Sequence, residues 1–387
     1  MKLLKPFYFD EFECVGGKCK DTCCVGWNIE IDKMSYEKYQ QVKGEFGERL
    51  KRSIASGDTN QFILDENKRC PFLNKEQLCD IYINIGEDKL CNTCKTYPRI
   101  TRKYDDIIEQ LLTLSCPEVA KILVSHKNPI DFCFGEFNGN NQDMINVDKV
   151  DLFNALIDGR GLSVDLMQTD KIPLWKRIFI CLNIANKIQI HIDNDEVNKI
   201  QKILEQFQDE EYIMAYVDAL EQFSCNNELK LFQYRAIINI ISGLNVMDPK
   251  FVEFYMETID FLNGHCNEES ENIFSDLVNK FDTYNIDSKV YENYIVYYLF
   301  HYYLSSYEEG TIYKYIVLMV DAYSIMKLFA MVRWFNNGYQ LSDDALIDIL
   351  YSYSRTIEHN KVGMDEIFKM IKKNGLDSMA YMATLIR

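Results

Sequence analysis

The chain has 387 residues, 47% of them hydrophobic and 26% charged, a globular composition with enough apolar material for two or three domains. Its 42 basic and 59 acidic residues leave a formal charge of −17. That charge argues against non-specific nucleic-acid binding, which neutralises phosphates with lysine and arginine, and against an anionic membrane surface. It suits a cationic substrate, although acidity serves solubility equally well.

The N-terminal stretch MKLLKPFYFDEFECVGG has no continuous apolar run and no small-residue cleavage site, so it does not read as a signal peptide and a cytoplasmic location is expected. Nine of the thirteen cysteines lie between Cys14 and Cys116, in a segment of short, turn-rich pieces; Cys133, Cys181, Cys225 and Cys266 are scattered. This asymmetry predicts a mainly α protein in two parts. Residues 1–136 form an irregular, cysteine-rich metal module with a few short strands, and residues 137–387 an all-helical domain suited to substrate recognition. In the first part, WNIEID alternates Trp27, Ile29 and Ile31 with polar residues, as a half-buried strand does. CPFLNKEQLCDIY reads as a hairpin carrying Cys70 and Cys79. SCPEVAKILV opens a helix, with Pro117 at its first position and Glu118 at its positive end. The polar run FNGNNQDMINVD, residues 137–148, is the candidate boundary.

Beyond it the pattern is helical. VNKIQKILEQF puts Val197, Ile200, Ile203, Leu204 and Phe207 on one face. YENYIVYYLFHYYLSSY has too few polar positions for an exposed helix. The run from Tyr315 to Phe335 is the most membrane-like, but Asp321, Lys327 and Arg333 fall on different sides of it, so a buried helix is expected rather than a span. SDDALIDILYSYSRTIEHN opens with Ser342 as N-cap followed by two acids. There is no fixed-period repeat.

Three chemistries compete for the clustered cysteines. Disulfides fit poorly with a reducing cytosol and an odd number of thiols. Structural zinc asks for four ligands, commonly on two C-x2-C knuckles, and only Cys91 and Cys94 have that spacing. An iron–sulfur cluster asks for thiolates from short loops, without fixed knuckles. Spacing leaves zinc and iron–sulfur both open, with one metal site or two. A C-x3-C-x2-C triplet is absent, because Gly26 stands where the third cysteine would follow Cys19 and Cys23.

The order Cys-x4-Cys-x3-Cys-Cys-x2-Gly-Trp, followed by CPFL, LCDIY, CNTCKTYPR and LSCPE, resembles the flagellin lysine-N-methylase family, within the wider group of YkgJ-like cysteine-cluster proteins. YENYIVYYLFHYYL and SRTIEHN resemble that family's helical C-terminal motifs, so the likeness spans essentially the whole chain. The resemblance implies methyl transfer from S-adenosylmethionine to lysines of flagellin, with a cysteine-bound 4Fe-4S cluster. By position it implies Cys14, Cys19, Cys23, Cys24, Cys70, Cys79, Cys91 and Cys94 as metal ligands. Cys23, Cys24, Cys70, Cys79 and Cys94 match the wider group most closely, whereas Cys116 reads as a buried thiol.

A lysine with a reference pKa of ~10.4 must lose a proton before it can attack a methyl group. No base is assigned from the sequence. The five histidines are scattered, without an H-x3-H pair. Arg355 reads as a helix-surface partner that could bind a donor carboxylate, and Arg99 as a donor to cluster sulfurs or to that carboxylate. No Gly-rich strand-to-helix turn is present; IDGRGLS offers only Gly159 and Gly161. Two non-methylase alternatives remain at this stage: a zinc-stapled helical interaction scaffold and an iron–sulfur electron carrier.

Overall fold

The computed structural model describes residues 1–137, 144–224, 226–244, 248–265, 271–284 and 289–387, without the side chains of 271–273, and among the described residues strands occur only up to residue 145. Residues 138–143, half of the candidate boundary, together with Cys225 and Cys266, lie outside the described residues. The strands are β1 (Lys2–Pro6), β2 (Glu30–Ile31), β3 (Ile54–Ala55), β4 (Asn60–Phe62), β5 (Arg99–Tyr104), β6 (Ile107–Leu112), β7 (Phe132–Glu136) and β8 (Met144–Ile145). They form a five-stranded sheet, β7-β1-β6-β5-β8, and a three-stranded one, β2-β4-β3. β5 and β6 make a tight hairpin with Tyr104 opposite Ile107, and β1 runs parallel to β6 with Lys2 opposite Ile107.

Two hydrophobic cores follow from this layout. The smaller gathers Ile29, Ile31, Tyr39, Leu50, Phe62 and Phe72 around the buried Cys70 and Cys91. It is built from β2–β4 and the short helices α1 (Lys33–Gln41), α2 (Gly44–Arg52), α3 (Asp80–Ile85) and α4 (Asn92–Thr96). Asp32 organises it: one carboxylate oxygen accepts from the Ser35 amide at 2.9 Å and caps α1, and the other accepts from the Asn92 amide at 2.8 Å. The start of α4, where Cys91 sits, is thereby pinned to α1. WNIEID meets the expectation only in part: Ile29 and Ile31 are buried, but Trp27 is exposed and the strand is confined to Glu30–Ile31. The expected hairpin at CPFLNKEQLCDIY reduces to a single bridge between Leu73 and Cys79, because α3 begins at Asp80. Arg49 holds that start, pairing with Asp80 at 2.6 Å and donating to the Pro71 carbonyl.

The larger core runs from Tyr8 to Ile386 and joins the five-stranded sheet to the helices. These are α5 (Pro117–Ser125), α6 (Val150–Met167), α7 (Leu174–Asp193), α8 (Ile200–Gln208), α9 (Glu210–Glu221), α10 (Asn227–Ile241), α11 (Pro249–His265), α12 (Glu271–Tyr284), α13 (Lys289–Tyr302), α14 (Ser305–Glu309), α15 (Ile312–Asn336), α16 (Asp343–Tyr353), α17 (Lys361–Lys373) and α18 (Met379–Ile386). Pro117 opens α5, and the Ser342 side chain caps α16. α13 is buried on every side from Val290 to His301 because it lies between α5, α6 and α15. Two enclosed ion pairs cross between elements: Arg160 of α6 with Glu109 of β6 at 2.5 Å, and Arg177 of α7 with Glu292 of α13 at 2.9 Å.

By length and composition α15 could cross a membrane, yet 94% of its apolar window is buried against other helices. The three charges between Tyr315 and Phe335 have different fates. Lys327 pairs with Asp282, and Arg333 with Glu253 and Glu257. Asp321 is buried without a partner among the described residues. α16 runs directly into a π-turn, Ser354–Glu358. Such irregular turns interrupt regular helices, often where a functional side chain must be aimed.

Candidate functional site

The cysteines fall into two neighbourhoods. The Cys70 amide donates to the Cys24 carbonyl at 2.8 Å, drawing the first cysteine loop onto the second. The Leu73–Cys79 bridge folds Cys79 back, and α4 carries Cys91 at its N-cap and Cys94 one turn on. Cys24, Cys70, Cys79, Cys91 and Cys94 thus surround the smaller core, two of them buried and three half-buried. A hydrogen bond from the Cys23 thiol, aided by Thr22 and Arg69, holds the Cys24 thiol down at about 7 against the opposing effect of burial. Burial pushes Cys70 up to about 12, with Cys24, Cys79 and Cys91 adding to the shift. A thiol–thiol hydrogen bond lowers Cys91 and raises Cys94.

The second neighbourhood contains Cys14, Cys19, Cys23 and Cys116. Burial is the main cause of the upward shifts at Cys19 and at Cys116, the latter to about 11, and Cys14 adds to both. Cys23 senses Cys14 and Cys116 while hydrogen-bonding Cys24, so it joins the two sets. Cys133 is exposed on β7, and Cys181 is buried in the helical core.

Among the described residues, no three His, Cys, Asp or Glu side chains converge to hold a single metal ion. Four zinc ligands at ~2.3 Å must meet around one point. A cluster takes its thiolates on separate irons, so its sulfur donors stand further apart. In donor chemistry and number, the five-thiol neighbourhood fits a thiolate-bound cluster.

Beside the second neighbourhood the cysteine-rich loop meets the π-turn. The Arg355 guanidinium reaches Asp21, between Cys19 and Cys23, at 2.7 Å, and Asp248 at 3.4 Å. It also donates to the backbone carbonyls of Ser115 and Asp21. With two carboxylates engaged, Arg355 is an internal clamp rather than a helix-surface partner. Arg99 is likewise taken: it donates to the Phe12 carbonyl at 3.0 Å and lies over the Phe12 ring. His359 shares hydrogen bonds with Ser115 at 2.6 Å and Thr113 at 3.0 Å, and Tyr97 reaches Ser115 at 2.9 Å. Burial, then the Arg355 charge, lowers His359 to about 4, so it is neutral at physiological pH.

One residue earlier, Glu358 turns inward. It accepts hydrogen bonds from Ser354 at 2.6 Å, Tyr294 at 2.8 Å and Tyr297 at 3.5 Å. Burial outweighs these bonds and lifts its carboxyl to about 7. Sequence reasoning passed over Glu358 and Asp321. The signals were an acid beside His359 in SRTIEHN and a lone acid inside an apolar helix.

None of the connections from a strand to an α-helix carries a glycine-rich turn among the described residues. Gly159 and Gly161 lie inside α6 instead. A Cβ at Gly159 would stand 2.6 Å from the Tyr303 hydroxyl, so this glycine makes room for a side chain rather than for a phosphate or nucleoside. The residues described here do not fit a Rossmann-type donor crevice, and no residue is assigned to S-adenosylmethionine.

Comparison with known proteins bears on these residues. Residues 160–385 match the FliB lysine N-methylase C-terminal domain, a segment that includes Asp321, Arg355, Glu358 and His359. Over 145 residues the chain is 30% identical to the flagellar biosynthetic protein FliU of Salmonella muenchen, covering 34% of this chain and 81% of that protein. Over 134 residues it is 29% identical to the lysine-N-methylases of Salmonella typhimurium and Salmonella choleraesuis, covering 31% of this chain and 32% of each. The alignment therefore spans about a third of the length of those two relatives. No solved structure matches. With more than half of its length in that domain, the chain belongs to the FliB lysine N-methylase family.

Proposed function

We propose that this protein is a lysine N-methyltransferase that moves methyl groups from S-adenosylmethionine to lysine side chains of flagellin in the cytoplasm, with a 4Fe-4S cluster held by its N-terminal cysteines. The observation that carries the reading is the match of residues 160–385 to the lysine N-methylase domain. Two relatives named lysine-N-methylase and one named as a flagellar biosynthetic protein point to the substrate.

Cys24, Cys70, Cys79, Cys91 and Cys94 would supply the cluster's thiolates, and Asp32 fixes two of them by tying α4 to α1. When bound, such a cluster supplies electron transfer or an open iron as a Lewis acid. Arg355 transmits the position of the Cys19–Cys23 loop to the π-turn through Asp21. His359 and Ser115 brace the same junction. The target amine must surrender a proton before its lone pair can attack a sulfonium methyl. The helical body supplies a buried carboxylate, Glu358, whose raised affinity for protons suits that task.

The test begins with protein purified without oxygen, in which iron, sulfide and zinc are quantified. Labelled methyl transfer from S-adenosylmethionine to purified flagellin follows. Iron and sulfide in equal amounts with label on lysine is the expected result. Stoichiometric zinc without iron would favour a stapled scaffold, and a cluster without transfer would favour an electron carrier.

A further inference from the structure

Glu358 is enclosed, yet its carboxylate is connected to the surface. The Tyr297 hydroxyl of α13 donates to Glu358 Oε2 at 3.5 Å and hydrogen-bonds the Thr113 side chain. Thr113 Oγ1 in turn lies 3.0 Å from His359 Nε2. Tyr297 is 2% exposed, Thr113 3% and Glu358 7%, whereas His359 is exposed. One hydrogen-bonded line therefore runs from the protein surface to a buried acid. Ser115 Oγ, 2.6 Å from the same His359 nitrogen and 3.2 Å from Thr113 Oγ1, offers a parallel first link, so both routes meet at Thr113. The line has a polarity. The Leu114 amide donates to the Tyr297 oxygen at 3.2 Å, which leaves the phenol proton for Glu358. Each hydroxyl can accept one hydrogen bond while donating another, as proton passage demands. A neutral imidazole does the same with its two nitrogens. With Nε2–H turned to Thr113, Nδ1 is the acceptor, and no hydrogen bond occupies Nδ1 among the described residues.

Resting on the lysine-methylase reading, we propose that His359, Thr113 and Tyr297 relay the proton of the substrate lysine from the surface to Glu358. The amine thereby meets its proton acceptor without entering the helical core. His359 Nδ1 takes a proton from R–NH3⁺ while Nε2 yields its own to Thr113 Oγ1. Thr113 passes its hydroxyl proton to Tyr297, and Tyr297 passes its own to Glu358. The balance is R–NH3⁺ plus –COO⁻ giving R–NH2 plus –COOH; the freed lone pair stays on nitrogen, and His359 ends as its other tautomer. His359, held at about 4, passes a proton on, whereas Glu358, at about 7, keeps it. Burial holds the Tyr297 phenol well above its ordinary value, so it serves as a neutral hydroxyl. Arg355 on the same turn and His301 of α13 are the other charged or titratable groups that His359 senses.

Proton exchange at Glu358 tests the relay independently of methyl transfer. Full-length protein purified without oxygen is held in slightly acidic buffer, where Glu358 is protonated, and diluted into D2O. The readout is the infrared carbonyl band of the Glu358 acid, identified by its absence in Glu358→Gln. Thr113→Val removes the hydroxyl where both routes meet and is expected to slow the exchange about tenfold or more. Thr113→Ser, which keeps a hydroxyl there, is expected to exchange at the wild-type rate. Equal exchange in wild type and Thr113→Val, with matched thermal unfolding, overturns the proposal. His359→Ala, at an exposed position, supplies a second variant where Thr113→Val does not fold. Its kcat for flagellin is expected to fall about tenfold or more, and added imidazole to recover it. A loss that imidazole does not restore assigns His359 to bracing alone and overturns the proposal. Exchange slowed by Thr113→Val, in a protein that methylates nothing, would leave the relay standing and remove the methylase reading. Wild-type methylation by both variants would do the reverse.

Discussion

Arg355 and Asp21 stand 334 positions apart in sequence and 2.7 Å apart in space. Their ion pair, shared with Asp248, ties the loop between Cys19 and Cys23 to the π-turn carrying Glu358. Arg355 and Asp248 are largely enclosed, with side chains 14% and 10% exposed. Removing the guanidinium leaves two carboxylates facing each other in a poorly solvated junction. Arg355→Ala should therefore cost roughly 3 kcal/mol, the lower end for breaking a buried pair. Asp21→Asn, at a more exposed position, should cost less. Urea denaturation of both variants checks the order; equal and negligible losses would show that the junction is not a clamp.

Gly159 and Gly161 should respond oppositely to alanine. A Cβ at Gly159 meets the Tyr303 hydroxyl at 2.6 Å and Ile188 at 3.3 Å, whereas one at Gly161 meets nothing within 4 Å. Overpacking predicts a loss of about 1–3 kcal/mol for Gly159→Ala. Helix propensity predicts a gain of up to about 1 kcal/mol for Gly161→Ala. Thermal unfolding of the pair reads the difference directly.

Glu358 links pH to stability. Its carboxyl titrates at about 7 in the fold, against an ordinary value of 4.5, because burial disfavours the charge. The groups facing it are Tyr294, Tyr297, Tyr298 and Tyr302 of α13, Asp321 of α15, Tyr353 of α16 and Ser354 of its own turn. Between those two values the folded state holds a proton that the unfolded state has released. The stabilisation is complete below about 4.5 and is lost as pH rises through about 7, a change on the order of 3 kcal/mol. Glu358→Gln, which cannot ionise, should flatten that part of the stability–pH curve. An unchanged slope would assign it to other groups.

The local signals were the readable part of this chain. Pro117 and Ser342 open their helices because capping chemistry depends on immediate neighbours. The aromatic run at α13 announced burial through its lack of polar positions. The partition of the thiols was not readable, because it depends on the Cys70 amide meeting the Cys24 carbonyl across 46 residues. Arg355 looked like a surface residue because its partners come from remote loops. Asp321 was visible only as a charge in an apolar helix; its meaning needs Glu358 and the tyrosines of two other segments. The same limit applies to CPFLNKEQLCDIY, where Arg49 from α2 stabilises a helix start inside an apparent hairpin.

The proposed cluster separates the cysteines by position. Cys70→Ser removes a buried thiol from the five-thiol neighbourhood and should abolish the iron content and visible absorbance of protein purified without oxygen. Cys133→Ser, at an exposed site on β7, should leave both unchanged. Equal iron in all three proteins would place the metal elsewhere.

The most direct test is to express flagellin in cells with the wild-type protein, with Cys70→Ser or with neither, and to map lysine methylation by mass spectrometry. A flagellin lysine methyltransferase that depends on its cysteine-held cluster gives methylated lysines with wild type alone. Unmodified lysines alongside well-folded, iron-loaded wild-type protein would contradict the methylase reading.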